Sequence, residues 1–148
     1  MFQLRFEIEG VTELSRKLEI TINRLRDMTP AFQQTALDLH RTFSQDVFET
    51  EGGVIDEDWQ ELSPAYAAQK SKRYPGAGIL VATGRMRQSF VYDWTANMAS
   101  VWNSAPYFPF HQSNKPRSRL PRRVMIKLAE AQKEHVVEIF HKYLMQSV

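Results

Sequence analysis

Few residues of this 148-residue chain stand in patterns that chemistry requires. Glu138 and His141 are three positions apart, the spacing of one half of a di-iron carboxylate site, where each of two helices supplies a Glu-x-x-His pair. The second pair and its partner carboxylates are missing, so no metal is expected, and His135, Glu138 and His141 read as the wetter side of a helix. The other histidines, His40 and His111, add no ligand spacing. No serine sits in a Gly-x-Ser-x-Gly elbow. The absence of cysteine removes a thiol nucleophile, a zinc ribbon and a disulfide scaffold together. Asp56, Glu57 and Asp58 are adjacent carboxylates, but they read as a solvated acidic run. Thr83-Gly84-Arg85 could open a helix over an anion, yet it lacks the flanking glycines and lysine of a phosphate-binding loop. Neither an enzyme nor a cofactor is expected.

Charge is more informative than catalysis. The net charge of +2 is too small to imply nucleic acid by itself. Its distribution is uneven: Asp46 to Glu61 holds seven acids and no base, Lys70 to Arg87 five bases and no acid, and Lys115 to Lys127 six bases and no acid. The last block gives the main basic cluster, Lys115, Arg117, Arg119, Arg122, Arg123 and Lys127, with Tyr107, Phe108 and Phe110 nearby to stack on bases. Six phosphate contacts would give a salt slope of about −5 on duplex DNA. A small basic DNA-binding accessory protein is therefore one reading, although no helix-turn-helix, RRM or zinc-finger pattern accompanies the cluster. The preferred reading is protein docking, because opposite charge blocks on one small domain suit head-to-tail ring closure. On that reading Arg122 and Arg123 are exposed, and reversing both charges should leave the fold intact.

These residues need a frame. Length predicts one domain, and 43% hydrophobic with 24% charged residues is ordinary globular composition. Neither a signal-peptide core nor an apolar run of ~18–20 residues is present, so a soluble protein made in a cytoplasm is expected. Phe2, Leu4, Phe6 and Ile8 alternate as a strand over residues 2–9. Val11, Leu14, Leu18, Ile22 and Leu25 form the stripe of a first helix. Thr29-Pro30 predicts a threonine-capped second helix, which Gly52-Gly53 ends. Residues 51–82 form an extended loop holding one short helix from Ser63-Pro64, and Thr83 caps another, through Gln88. Strands follow at 89–94 and 98–102, then a long loop at 104–121, a final alternating strand through Val124, Ile126 and Leu128, and a last helix packing Val136, Val137, Phe140 and Leu144. The expected fold class is α+β: a small, mostly antiparallel sheet packed by two long N-terminal helices and a C-terminal helix.

Four short segments then stand in a telling order: Trp59-x-x-Leu62; Leu80-x-x-Thr83-Gly84-x-Met86-x-x-Ser89; Tyr107 with His111-Gln112; and Pro121-x-Arg123. In sequence and spacing they resemble the phage virion morphogenesis family, the tail completion proteins of Mu-like contractile-tailed phages, over the half of the chain from Trp59 to Arg123. Met86 stands where leucine is more usual, and Ser113-Asn114 replaces the family's glycine after His-Gln. The resemblance implies a structural role for Trp59, Leu62, Leu80, Thr83, Gly84, Ser89, Tyr107, His111, Gln112 and Pro121. It implies a tail completion or terminator protein at the head-proximal end of the tail tube, ending tube growth and enabling head–tail joining. The implied partners are further copies of the chain in a ring (a hexamer by analogy with a contractile tail), tube or sheath proteins, and neck proteins, with no membrane and DNA only passing through the lumen. The implied location is the virion tail, after assembly in the host bacterial cytoplasm, from an active phage or a prophage.

Overall fold

The computed structural model describes residues 9–114 and 119–146, so the strand expected over 2–9 lies outside the described residues except for its last position. Helix α1 (Val11–Arg26) follows Gly10, whose φ of +84° is left-handed. Its apolar stripe is as the spacing predicts, but no residue of α1 is buried. Val11, Leu14, Leu18, Ile22 and Leu25 stay 47–58% exposed. The helix is held at its C-terminal end, where Arg24 Nη1 donates to Leu144 O at 3.2 Å and also to Gln146 O. Tyr143 adds a hydroxyl bond to Asp27 O at 2.5 Å.

Helix α2 (Thr29–Arg41) begins at Thr29 itself, so the threonine is not the cap. Met28 takes the cap position without a side-chain bond; two residues before the helix the Asp27 carboxylate accepts from the Thr29 N–H at 3.1 Å, and Pro30 fills the first turn, where its missing N–H costs nothing. A π-helical turn, Thr42–Asp46, carries α2 into a last short turn, α3 (Val47–Glu49). Ser44 O within the widened turn accepts from Arg87 Nε at 2.9 Å, tying the helix to the segment that opens the sheet. Left-handed Glu51 and Gly52 end the helix, and a 3-10 turn (Gly53–Ile55) follows. Then come α4 (Pro64–Arg73), α5 (Arg85–Gln88), strands β1 (Phe90–Trp94) and β2 (Ala99–Asn103), α6 (Phe108–Gln112) and α7 (Glu130–Met145).

Among the described residues the sheet is one antiparallel pair, registered from Phe90 opposite Asn103 to Trp94 opposite Ala99, and the fold class is α+β. Helix α2 packs on both strands, α7 packs on α2, and α1 lies against α7. The first helix thus does not cover the sheet as expected; it is the outer member of a helical stack. Phe32 meets Phe140 edge-to-face at 4.9 Å between α2 and α7, while His40 Nε2 lies 3.2 Å from Phe90 O. On α7 the expected Val136, Phe140 and Leu144 are half-buried, but Val137 points outward at 67% exposure.

The final strand does not form. Residues 121–129 run extended without a ladder, and burial ignores the alternation: Val124 and Met125 are consecutive and both buried, whereas Leu128 is exposed. Side chains take over the ladder's work. Gln112 Oε1 accepts from Met125 N and Ile126 N at 2.9 and 3.2 Å, and its Nε2 donates to Ile126 O at 2.7 Å. With main-chain groups satisfied this way, a period of two has no cause.

Candidate functional site

The core fixes the site from behind. Phe48, Trp59, Phe90 and Phe108 form a chain of edge-to-face rings with centroids 5.4 to 6.2 Å apart, linking α3, the loop after it, β1 and α6. Trp59 is buried, and its Nε1 donates to Val124 O at 2.7 Å, joining the acidic loop to the extended segment 121–129. Gly52 makes this placement possible. A Cβ there would lie 2.0 Å from Glu57 O and 2.8 Å from Trp59 Cδ1.

In front of this core lies an open cleft of about 910 Å³, and the four sequence segments meet in it. Leu62, Leu80, Thr83, Gly84, Tyr107, His111 and Pro121 all line it. Leu80 has φ +58°, so the chain turns sharply, with Ile79 in the core and Leu80 towards the cleft. Gly84, at φ +78°, takes the cap position of α5, and the Thr83 hydroxyl accepts from Arg85 N at 3.4 Å. Conformation rather than close approach requires this glycine, since a Cβ would meet only the flexible end of Gln88 at 3.4 Å. Three motif residues stand behind the lining: Trp59 in the core, Gln112 at the end of α6 and bonded to segment 121–129, and Ser89, whose hydroxyl donates to Arg85 O at 2.6 Å. Met86 and Phe90, four positions apart, are both buried.

Two cations sit at the cleft, each more than nine-tenths buried: Lys70 of α4 (7% exposed) and Arg123 (4%). Both donate to main-chain carbonyls. Lys70 Nζ reaches Gly78 O at 2.5 Å; Arg123 reaches Gln60 O from Nε (3.0 Å) and Nη2 (2.6 Å), and Glu61 O at 3.5 Å. Among the described residues no carboxylate comes within ion-pair distance of either. Burial pushes both pKa values down; for Lys70 the neighbouring Arg123 charge adds to this, and Glu51 partly opposes it in both.

The basic cluster comes apart in the structure. Lys115 and Arg117 lie outside the described residues. Arg123 is buried and bonded to Gln60 O, away from the exposed surface that the docking reading gave it, so reversing its charge should disturb the fold. Arg122 and Lys127 both face Glu57, at 3.9 and 2.8 Å. Arg119 is exposed on the cleft rim with Arg85. Sequence reasoning missed Lys70 as a site residue and weighed Arg85 only as part of an anion site that it set aside. The available signal for Lys70 was helical phase: Tyr66 and Lys70 are four apart on α4 and share its cleft face.

Elsewhere, His135 bonds Asp38 at 3.0 Å and lies 3.8 Å from Glu138, and among the described residues no three His, Asp or Glu side chains converge as a metal site.

Comparison with known families gives one result. Residues 9–145, nearly the whole chain, match the phage virion morphogenesis family, and the chain belongs to that family. No curated protein and no solved structure matches it.

Proposed function

We propose that this member of the phage virion morphogenesis family is a tail completion or terminator protein, working as a ring of identical subunits at the head-proximal end of the tail tube. Family membership gives the broader statement, a structural or assembly role in building phage particles. The observation that carries the finer one is helix α1. Five large apolar side chains line one face over its whole length, and none is buried within the subunit. Contiguous apolar surface of this kind on a small domain marks an association face. Each side chain is about half exposed, so covering it is worth roughly 1 kcal/mol, about 5 kcal/mol for the stripe. That is comparable with the lower estimates of the cost of bringing two chains together, so neighbouring copies and the tail end would have to act jointly. The mechanism requires shape, ring closure and charge complementarity, with no covalent chemistry.

The competing reading, a DNA-binding accessory protein, is weakened by the cation geometry. Arg123 is buried, and Arg122 and Lys127 already face Glu57, so of the cluster's four described residues only Arg119 is neither buried nor facing an acid. The direct test is a phage lacking this gene. Its lysates should contain filled heads and separate tails, with tube ends that lack the ring, and wild-type protein should restore joining. Joined, infectious particles in the mutant lysate would refute the proposal.

A further inference from the structure

We propose that the cleft binds an extended acidic segment of a partner protein, seating a carboxylate against Lys70 and Arg123 between apolar walls. This goes beyond the tail-end reading and is tested on the isolated protein, so either can fail without the other. Three observations point the same way. The cavity, about 910 Å³, is large enough for several residues of a peptide and open to solvent on one side. Its two buried cations donate only to main-chain oxygens, although an ammonium has three donors and a guanidinium five. Two neighbouring buried charges of one sign, which Glu51 offsets only in part and without contact, form an incomplete constellation, which an incoming anion completes.

The walls decide the kind of anion. Leu62, Leu80, Val81 and Met86 face the same space, so a bare phosphate would leave most of the lining unused, whereas a carboxylate flanked by apolar side chains meets both parts. Duplex DNA, a convex rod with outward phosphates, cannot bring them to cations lying more than nine-tenths buried. On the rim Arg85 and Arg119 favour approach of a negative segment, and Glu61 is the one acid among the lining residues. Charge complementarity therefore selects an acidic, apolar-flanked stretch of protein.

The probe is a pool of N-acetylated, C-amidated pentapeptides with Asp or Glu at the centre and Leu, Ile, Val or Phe around it, titrated into the full chain by NMR. Controls are the same pool with Asn or Gln at the centre, inorganic phosphate and a short duplex. The acidic pool should shift the amide resonances of Lys70, Leu80 and Arg123, with affinity at least tenfold above the neutral pool. Lys70→Met should abolish the preference. Arg119→Ala, a surface change that does not threaten folding, should weaken it several-fold. The proposal is overturned if neither pool moves those resonances, if both pools bind alike, or if phosphate or duplex competes equally well. It is also overturned if the same resonances move with protein concentration alone, which would make a second copy the occupant.

Discussion

Replacing Trp59 by phenylalanine isolates the contact that clamps the acidic loop to segment 121–129. The change keeps the aromatic contact with Phe48 but removes the indole N–H, leaving the buried Val124 carbonyl without its donor at 2.7 Å. A buried acceptor stripped of its partner costs about 1–3 kcal/mol. The lost part of the indole leaves a void worth about 1 kcal/mol more. The sum, about 2–4 kcal/mol, corresponds to a melting temperature lower by roughly 5–15 °C for a chain of this size. Urea and thermal unfolding followed by circular dichroism would measure it, at one fixed protein concentration because association shifts apparent stability. Trp102→Phe is the control: Trp102 is 44% exposed, and its loss should stay within about 0.5 kcal/mol. A Trp59→Phe effect no larger than the control's would refute the clamp.

Other substitutions probe the same frame. Gly52→Ala should be far more damaging than Gly10→Ala, although both positions have left-handed φ, because a Cβ at Gly52 strikes Glu57 O at 2.0 Å while at Gly10 it meets nothing within 4 Å; equal unfolding midpoints would contradict the close approach. Gln112→Ala removes three hydrogen bonds to Met125 and Ile126 and should cost about 2–3 kcal/mol in urea unfolding, whereas a loss below about 0.5 would mean the segment holds itself. Burial pushes Lys70 below the ordinary lysine value of 10.5, so the folded chain binds this proton less tightly than the unfolded one. The resulting penalty is full below the folded pKa and fades as pH rises towards 10.5. The stability of wild type relative to Lys70→Met should therefore climb over that alkaline window in paired denaturation curves, and a flat difference would argue against a desolvated lysine.

Local patterns with a local cause were legible in the sequence. The stripe of α1, the Ser63-capped α4 and the two-strand hairpin follow from periodicity and turn chemistry, and each formed within a residue or two of its expected bounds. The motif segments were recognisable, but their convergence on one cleft was not, because it depends on the Trp59–Phe48–Phe90–Phe108 ring chain and on contacts across more than sixty positions, such as Trp59 to Val124. The failures share a cause. Val124, Ile126 and Leu128 alternate like a strand, yet the side chains of Trp59 and Gln112 satisfy backbone groups of Val124, Met125 and Ile126, and no periodicity encodes that. Likewise Arg122 and Arg123 are indistinguishable as letters. One faces Glu57 at the surface and the other braces Gln60 O from within, a difference set by which side of one extended segment each occupies.

The most direct test of the central claim is the solution mass of the chain by light scattering across a concentration series, with and without short duplex DNA, beside a Leu14→Asp/Leu18→Asp variant. Both leucines are more than half exposed, so the substitutions leave the subunit folded. The account predicts a closed oligomer several times 17.3 kDa, indifferent to DNA, that falls to a monomer in the variant. A wild-type chain that stays monomeric at every concentration, or gains mass only on DNA, would contradict it.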